Sequence, residues 1–354
     1  MANYPQLDDC SGVWTLKEVN DAVMGGYWRS AGISALTFGA YEAPQNIIYQ
    51  YNFVTKANAT DFGDLSLSRF RPNATASFTR AIAGGGEVDA NSTTTDTIDY
   101  VTIASTGNAA DFGNLTTSRS NTTCIGTVVR GIFAGGTGLS NVIDYVTIAS
   151  PGNATDFGDL TAARTQLSAT CSTTRGVFAG GAEPSAVNRM DFITMASQGN
   201  AIDFGDLSST RRQNQYGAVC SSTRGIFAGG FNPTMSSTID FVTIASQGNA
   251  TDYGDLLDTL RTHMGASNSV KGVFLGGYSN PAYETYIQEI TIASGGTALD
   301  TTADIGHATG GGGGCSNGHG GLNDGYQGTR IAPIPQGGGA GQMGMFAGGR
   351  GMSN

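Results

Sequence analysis

The element D-[FY]-G-[DN] is the first place where residue types and spacing can do chemistry. It stands at 61–64, 111–114, 156–159, 203–206 and 252–255, each time shortly after an Asn-Ala pair. An aspartate ahead of Phe-Gly can ligate the magnesium of a phosphoryl-transfer site. That chemistry also needs an H-R-D loop and a strand lysine, which the chain lacks. The oxygen-rich stretch can also hold calcium, yet it has no dense alternation of carboxylates as in an EF-hand loop. Recurrence at near-constant intervals points instead to a structural turn in which Asp and Asn bond the local backbone. The glycine run at 310–314 is not followed by G-K-[ST], so no phosphate loop is expected. His263, His307 and His319 have no Cys/His spacing partner, and no carboxylate pair stands apart from the repeat. The chain therefore reads as a non-enzyme with no catalytic residue, no metal and no cofactor.

The elements that carry these turns are copies of one unit. Its aromatic falls at Phe62, Phe112, Phe157, Phe204 and Tyr253, at intervals of 50, 45, 47 and 49 residues. A sixth copy has T-I-A-S at 291–294 and then decays to L-D-T-T-A-D-I. This period, without helical periodicity, suits a four-stranded propeller blade. The strands are placed, for one copy, at 216–221, 225–228, 239–246 and 251–256 and are called a to d. Strand c is rich in Ile, Val, Thr and aromatics, as a strand buried on both faces should be. The expected fold is an all-β propeller over 29–320, closed when G-G-G-G-C-S-N-G-H-G-G after the last d strand pairs with the first copy. Six four-stranded blades are expected, with seven as the alternative because G-M-F-A-G-G at 344–349 repeats strand b. Residues 1–28 read as an attachment segment with a short helix: Thr15 to Glu18 form a capping box, Leu16, Val19 and Val23 a stripe, and Gly25-Gly26 a stop. Residues 321–354 read as a Gly-rich extended tail.

Charge patterning adds a prediction. Arg80, Arg130, Arg175 and Arg224 precede strand b, and Asp99, Asp144, Asp191 and Asp240 open strand c. Both positions change together, to Lys271 and Gln288 in the sixth copy and to Ser34 and Tyr49 in the first. Joint loss predicts that each Arg bonds the Asp of its own blade, since a lone buried charge is costly.

Loop lengths divide the surface. From the Ser ending strand c to the Asp of the turn is always six positions, whereas b–c loops run from T-G-L-S-N-V at 137–142 to E-V-D-A-N-S-T-T-T-D-T at 87–97. The b–c and d–a connections emerge on one face, which is the variable one and the candidate recognition surface. Phe231, Asn232, Tyr278 and Tyr283, with Arg212 and Arg261 on the d–a side, are the candidate contact residues.

A net charge of −10 argues against nucleic acid as a partner. No apolar run is long enough to span a membrane, and the N-terminus has no basic and apolar signal-peptide regions. The five cysteines read as free thiols, with Cys171 and Cys220 as small hydrophobes facing neighbouring blades.

The order of a hydrophobic strand ending in Gly-Gly, an aromatic-bearing strand, and an aromatic strand leading to Arg is similar to the kelch repeat. The likeness covers about residues 30–320, with Phe or Tyr where kelch repeats carry Trp. It implies a propeller; the Tyr, His and Cys ligands of kelch-type copper oxidases have no counterpart constellation. The combination of G-V-W-T-L-K-E-V-N-D-A, the I-D-Y-V-T-I-A-S…G-N-A-T-D-F-G-D-L units and the Gly-rich end resembles structural proteins of tailed, especially marine, bacteriophages. That resemblance implies a virion component of the tail or tail fibre, assembled in the bacterial host cytoplasm and present in multiple symmetric copies. Its partners would be other virion proteins and a host surface glycan or protein. The alternative it leaves open is a purely structural adaptor or capsid decoration.

Overall fold

Each repeat folds into antiparallel strands because short β-branched and aromatic runs are bounded by glycine, serine and asparagine turns. The structure, a computed structural model, describes residues 32–39, 45–89, 91–212 and 217–322. The expected N-terminal helix, the Gly-rich tail beyond Leu322, the extra b-like segment and Cys10 lie outside the described residues.

Blade 1 contains β1 (Ser34–Phe38), β2 (Gln45–Asn52) and β3 (Thr60–Arg69). Blade 2 is β4 (Asn73–Ala76), β5 (Arg80–Gly84), β6 (Thr97–Thr102) and β7 (Ala110–Asn114). Blade 3 is β8 (Thr123–Gly126), β9 (Arg130–Ala134), β10 (Ser140–Thr147) and β11 (Thr155–Arg164). Blade 4 is β12 (Ser168–Cys171), β13 (Arg175–Ala179), β14 (Arg189–Thr194) and β15 (Ile202–Asp206). Blade 5 is β16 (Ala218–Cys220), β17 (Arg224–Ala228), β18 (Ser236–Thr243) and β19 (Thr251–Leu260). Blade 6 is β20 (Met264–Ser267), β21 (Lys271–Leu275), β22 (Tyr286–Thr291) and β23 (Leu299–Asp304). The last strand, β24 (Gly313–Ser316), pairs antiparallel with β1 and completes blade 1. The six four-stranded sheets form a closed ring, with β24, β4, β8, β12, β16 and β20 in contact around the axis. This is a six-bladed β-propeller, compatible with a kelch-like repeat, and the ring closes without a seventh blade.

The b strands are the driest part of each blade: Ile226, Phe227 and Ala228, like Ile132, Phe133 and Ala134, are fully buried. Behind them, a strand-c aromatic meets the turn aromatic edge-on, as in Tyr100–Phe112, Tyr145–Phe157 and Phe192–Phe204. Such pairs add directional attraction to their buried area.

The constant c–d spacing has a mechanical cause. In blade 2 the loop after β6 reaches back to blade 1: Gly107 N donates to Phe62 O at 2.8 Å and Ala109 N to Asp64 O at 2.7 Å. Asp64 N in turn donates to Asn108 Oδ1 at 3.1 Å. The same asparagine latch recurs between Asn114 and Asn153, Asp159 and Asn200, Asp206 and Asn249, and, across the closing junction, Asp304 and Asn58. An inserted residue would carry the asparagine away from its partner. The turn glycine is demanded by the same approach: Gly63 has φ of +146°, and a Cβ there would lie 2.3 Å from Gly107 O.

The buried charges pair differently from the sequence expectation. Asp99, Asp144, Asp191 and Asp240 are completely buried, but they bind Arg69, Arg119, Arg164 and Arg211, not Arg80, Arg130, Arg175 and Arg224. Register explains the correction. Arg80 lies opposite Thr102, three residues along β6 from Asp99, a separation of about 10 Å. Arg80 instead stacks on Tyr100, 4.4 Å from the ring centroid, and donates to Ile148 O of blade 3 at 2.8 Å. Arg130, Arg175 and Arg224 likewise stack on Tyr145, Phe192 and Phe241 and reach Met195, Ala245 and Ala293 carbonyls of the next blade.

The true partners also join consecutive blades. Arg69, at the end of β3, donates to Asp99 Oδ2 at 2.8 Å and to the carbonyls of Thr97, Gly85 and Ala83, all in blade 2. Asp99 also accepts from the Ser66 hydroxyl and backbone N–H of blade 1. Burial pulls the Arg69 guanidinium below its ordinary value, and Asp99 opposes that shift. At the fifth junction the pair is replaced by Leu260 and Gln288, whose Oε1 accepts Leu257 N at 2.7 Å. At the sixth, Thr309 takes the arginine place, its carbonyl accepting Gly277 N just as Leu260 O accepts Gly230 N, and Tyr49 takes the aspartate place, opposite Thr37 as Asp99 stands opposite Ala83. Loss of both members together is thus real, with a different arginine.

Breaking one buried pair should strand a charge. Arg164→Leu or Asp191→Gln alone should each lower unfolding free energy by about 3–5 kcal/mol. The double variant, copying the Leu260–Gln288 junction, should recover most of that loss in urea denaturation. A double variant as unstable as the sum of the singles would disprove the pairing.

Candidate functional site

On the variable face, one backbone frame carries a different side chain in almost every blade. The residue after the double glycine is Glu87, Thr137, Ala182, Phe231 and Tyr278 in blades 2 to 6. In blades 5 and 6 it exchanges backbone hydrogen bonds with the d–a connection: Phe231 with Arg212, and Tyr278 with Arg261. In blade 2 the same place holds an ion pair, Arg71–Glu87 at 2.9 Å.

The candidate contact residues come together across two blades. Arg212 lies 5.8 Å from the Phe231 ring centroid and Arg261 lies 5.3 Å from it on the side of blade 6. Arg261 is also 4.7 Å from the Tyr278 centroid, and Tyr278 meets Tyr283 edge-on at 5.1 Å. The result is a row of guanidinium, aromatic, guanidinium and two aromatics, all half-buried. Cation–π stacking holds the guanidinium groups against the rings. Asn232 is exposed at the row's edge, its amide donating to Thr210 Oγ1 at 2.6 Å. Beside it opens a groove of about 350 Å³ lined by Thr210, Asn232, Thr234, Met235, Ser237 and Thr259.

The opposite face carries the D-[FY]-G turns. Asp61 Oδ1 accepts Gly63 N at 3.0 Å and Asp111 Oδ1 accepts Gly113 N at 3.1 Å, the local capping read from the sequence. Among the described residues, the three metal-capable side chains that converge lie elsewhere: Cys171, Cys220 and His319. The two thiols end adjacent inner strands, where they pack in the core against neighbouring blades as expected and also line the axial channel. Cys171 Sγ donates to Gly126 O at 3.2 Å, and His319 Nε2 donates to Ala76 O at 2.8 Å. The Cys171 thiol and His319 pull the Cys220 thiol well below its ordinary value. Cys124 and Cys315 line the same channel, and all four described cysteines are free. Sequence spacing could not reveal this cluster, since 148 positions separate Cys171 from His319. The repeat position shared by Cys171 and Cys220 was the only available signal.

The chain matches no protein-family model and no curated protein. Geometry and residue chemistry therefore carry the functional reading.

One more titratable group is buried away from both places. His263 sits between blades 5 and 6 with neither ring nitrogen hydrogen-bonded, edge-on to Phe274 at 5.4 Å. Burial first, then nearby Arg211, pushes its pKa down to about 3. The folded protein thus keeps His263 neutral over a range in which the unfolded chain, titrating near 6.5, takes up a proton. Stability from this site should be fully present above pH 6.5 and fall progressively as pH drops toward 3. In His263→Leu the decline in melting temperature over that window should be shallower than in the native protein. Parallel curves would show that another group dominates.

Proposed function

We propose that this chain is a non-enzymatic structural protein of a tailed-phage virion, in the tail or tail fibre, whose variable face binds a host surface glycan. The observation that carries the binding reading is the Arg212–Phe231–Arg261–Tyr278–Tyr283 row beside a hydroxyl- and amide-lined groove. Sugars offer apolar C–H faces and hydroxyl groups, which aromatic rings and guanidinium donors complement. The groove's size falls in the range of small-ligand sites. Placement in a virion rests on the resemblance to phage structural proteins, and free cysteines fit assembly in a reducing cytoplasm.

A second reading, an adaptor or capsid decoration, draws on the opposite face. Val54, Ile202 and Leu299 are large apolar side chains exposed there by 72%, 55% and 62%. Exposed apolar groups on a uniform face suit docking to a neighbouring virion protein. The two readings assign different faces and are compatible within one particle.

The test is saturable binding of the purified, labelled protein to host cells, with enzymatic deglycosylation of the cells as a second arm. Arg261→Ala and Tyr278→Ala should each weaken binding about tenfold or more, as loss of a central contact does. Deglycosylation should abolish binding. Binding that survives both variants, or that protease treatment of the cells alone removes, would overturn the glycan reading.

A further inference from the structure

The cysteine–histidine cluster in the axial channel has no part in receptor binding, yet its geometry is specific. Cys171 and Cys220 occupy the last position of β12 and β16, so neighbouring inner strands present two thiols side by side. His319 comes from the segment after β24, which turns back across the channel. Only glycines permit that path: a Cβ on Gly321 would lie 1.8 Å from Gly126 O, and one on Gly320 2.1 Å from Ser221 O.

The histidine is held in the form a metal ligand needs. Nε2 donates to Ala76 O at 2.8 Å, which leaves Nδ1 as the unprotonated nitrogen. Nδ1 lies 4.0 Å from Cys171 Sγ, and its single lone pair accepts Gly321 N at 3.2 Å, a bond that ligation would replace. The two sulfurs and a ring nitrogen of His319 all lie within 4.8 Å of one another. Around a tetrahedral ion with bonds of about 2.3 Å to sulfur and 2.0–2.1 Å to nitrogen, ligand atoms stand roughly 3.5–3.8 Å apart. Closing to that spacing takes movements of about 1 Å or less. The cavity these groups share measures about 50 Å³, enough for an ion and one water as fourth ligand.

Chemistry narrows the ion. Two thiolates and an imidazole select a thiophilic cation over calcium or magnesium. A divalent ion with two thiolates and a neutral imidazole has no net charge, which suits residues that are 2%, 5% and 8% exposed. We propose that Cys171, Cys220 and His319 form a mononuclear Zn²⁺ site that ties the segment after β24 to blades 4 and 5. Binding would form two Zn–S bonds and one Zn–N bond in place of water ligands of the hydrated ion, and any proton still on a thiol sulfur would leave to solvent with those waters.

The test uses the full chain, reduced and stripped with a chelator, with Co²⁺ as a spectroscopic probe and Zn²⁺ as competitor. One Co²⁺ per chain should bind, with intense visible bands of tetrahedral cobalt and thiolate-to-cobalt charge transfer, and Zn²⁺ should displace it. Zn²⁺ should also raise the melting temperature. Cys171→Ser and Cys220→Ser should each weaken uptake at least a hundredfold and lower the charge-transfer intensity. Cys10→Ser and Cys315→Ser should change neither. Circular dichroism of each apo variant separates lost binding from lost fold. No stoichiometric uptake by natively folded reduced protein would overturn the proposal. So would charge transfer unaffected by the Cys171 and Cys220 variants, or a Cys171–Cys220 disulfide that persists through reduction.

Discussion

Arg69, Arg119, Arg164 and Arg211 each leave the blade that bears them and end on a buried aspartate of the next. A guanidinium taken out of water is costly unless its donors are met, and each of these meets a carboxylate and carbonyls of the following blade. Neither blade can shift without exposing or orphaning a charge. At these four junctions the pairs therefore fix how one blade seats on the next. The asparagine latches and the stacked Arg80-type residues reinforce the same junctions from the opposite face. The Nε–H groups of the four arginines have no hydrogen-bond partner, nor do Asp240 Oδ1 and Gln288 Nε2, although Glu183 lies 3.7 Å from Arg164 Nε.

Charge is removed where the repeat decays. Leu260 with Gln288 and Thr309 with Tyr49 keep the backbone frame while dispensing with the ion pair. Lys56 and Lys271 meet on Glu289 at the closing junction, a more exposed arrangement suited to the place where chain ends meet. Blades 5 and 6, on either side of the first neutral junction, also carry the arginine–aromatic row. Strict constraint on one face and along the junctions leaves the b–c side chains free to differ, so binding chemistry can change without disturbing the ring.

The repeat length, the strand order and the closure by G-G-G-G-C-S-N-G-H-G-G were legible because glycine pairs and aromatics mark every blade. The invariant c–d spacing was visible too, although its cause, a latch to the previous blade, needs three dimensions. Joint loss of Arg and Asp was read correctly as pairing but assigned to Arg80 and its equivalents. Two arginines per repeat disappear by the sixth copy, and only antiparallel register separates them. Arg69, Arg119, Arg164 and Arg211 stand seven residues after the turn aromatic, where Leu260 stands in the fifth copy. That covariation with Gln288 was the missed signal. The contact row was gathered from loop variability alone, whereas Cys171, Cys220 and His319 meet only because the ring closes.

The most direct measurement is a crystal structure that resolves the guanidinium nitrogens at each junction. It should place Arg69, Arg119, Arg164 and Arg211 within hydrogen-bonding distance of Asp99, Asp144, Asp191 and Asp240 on the next blade, in a ring closed by β24. Aspartates bound instead to Arg80, Arg130, Arg175 and Arg224, or a further blade between β23 and β24, would contradict the account.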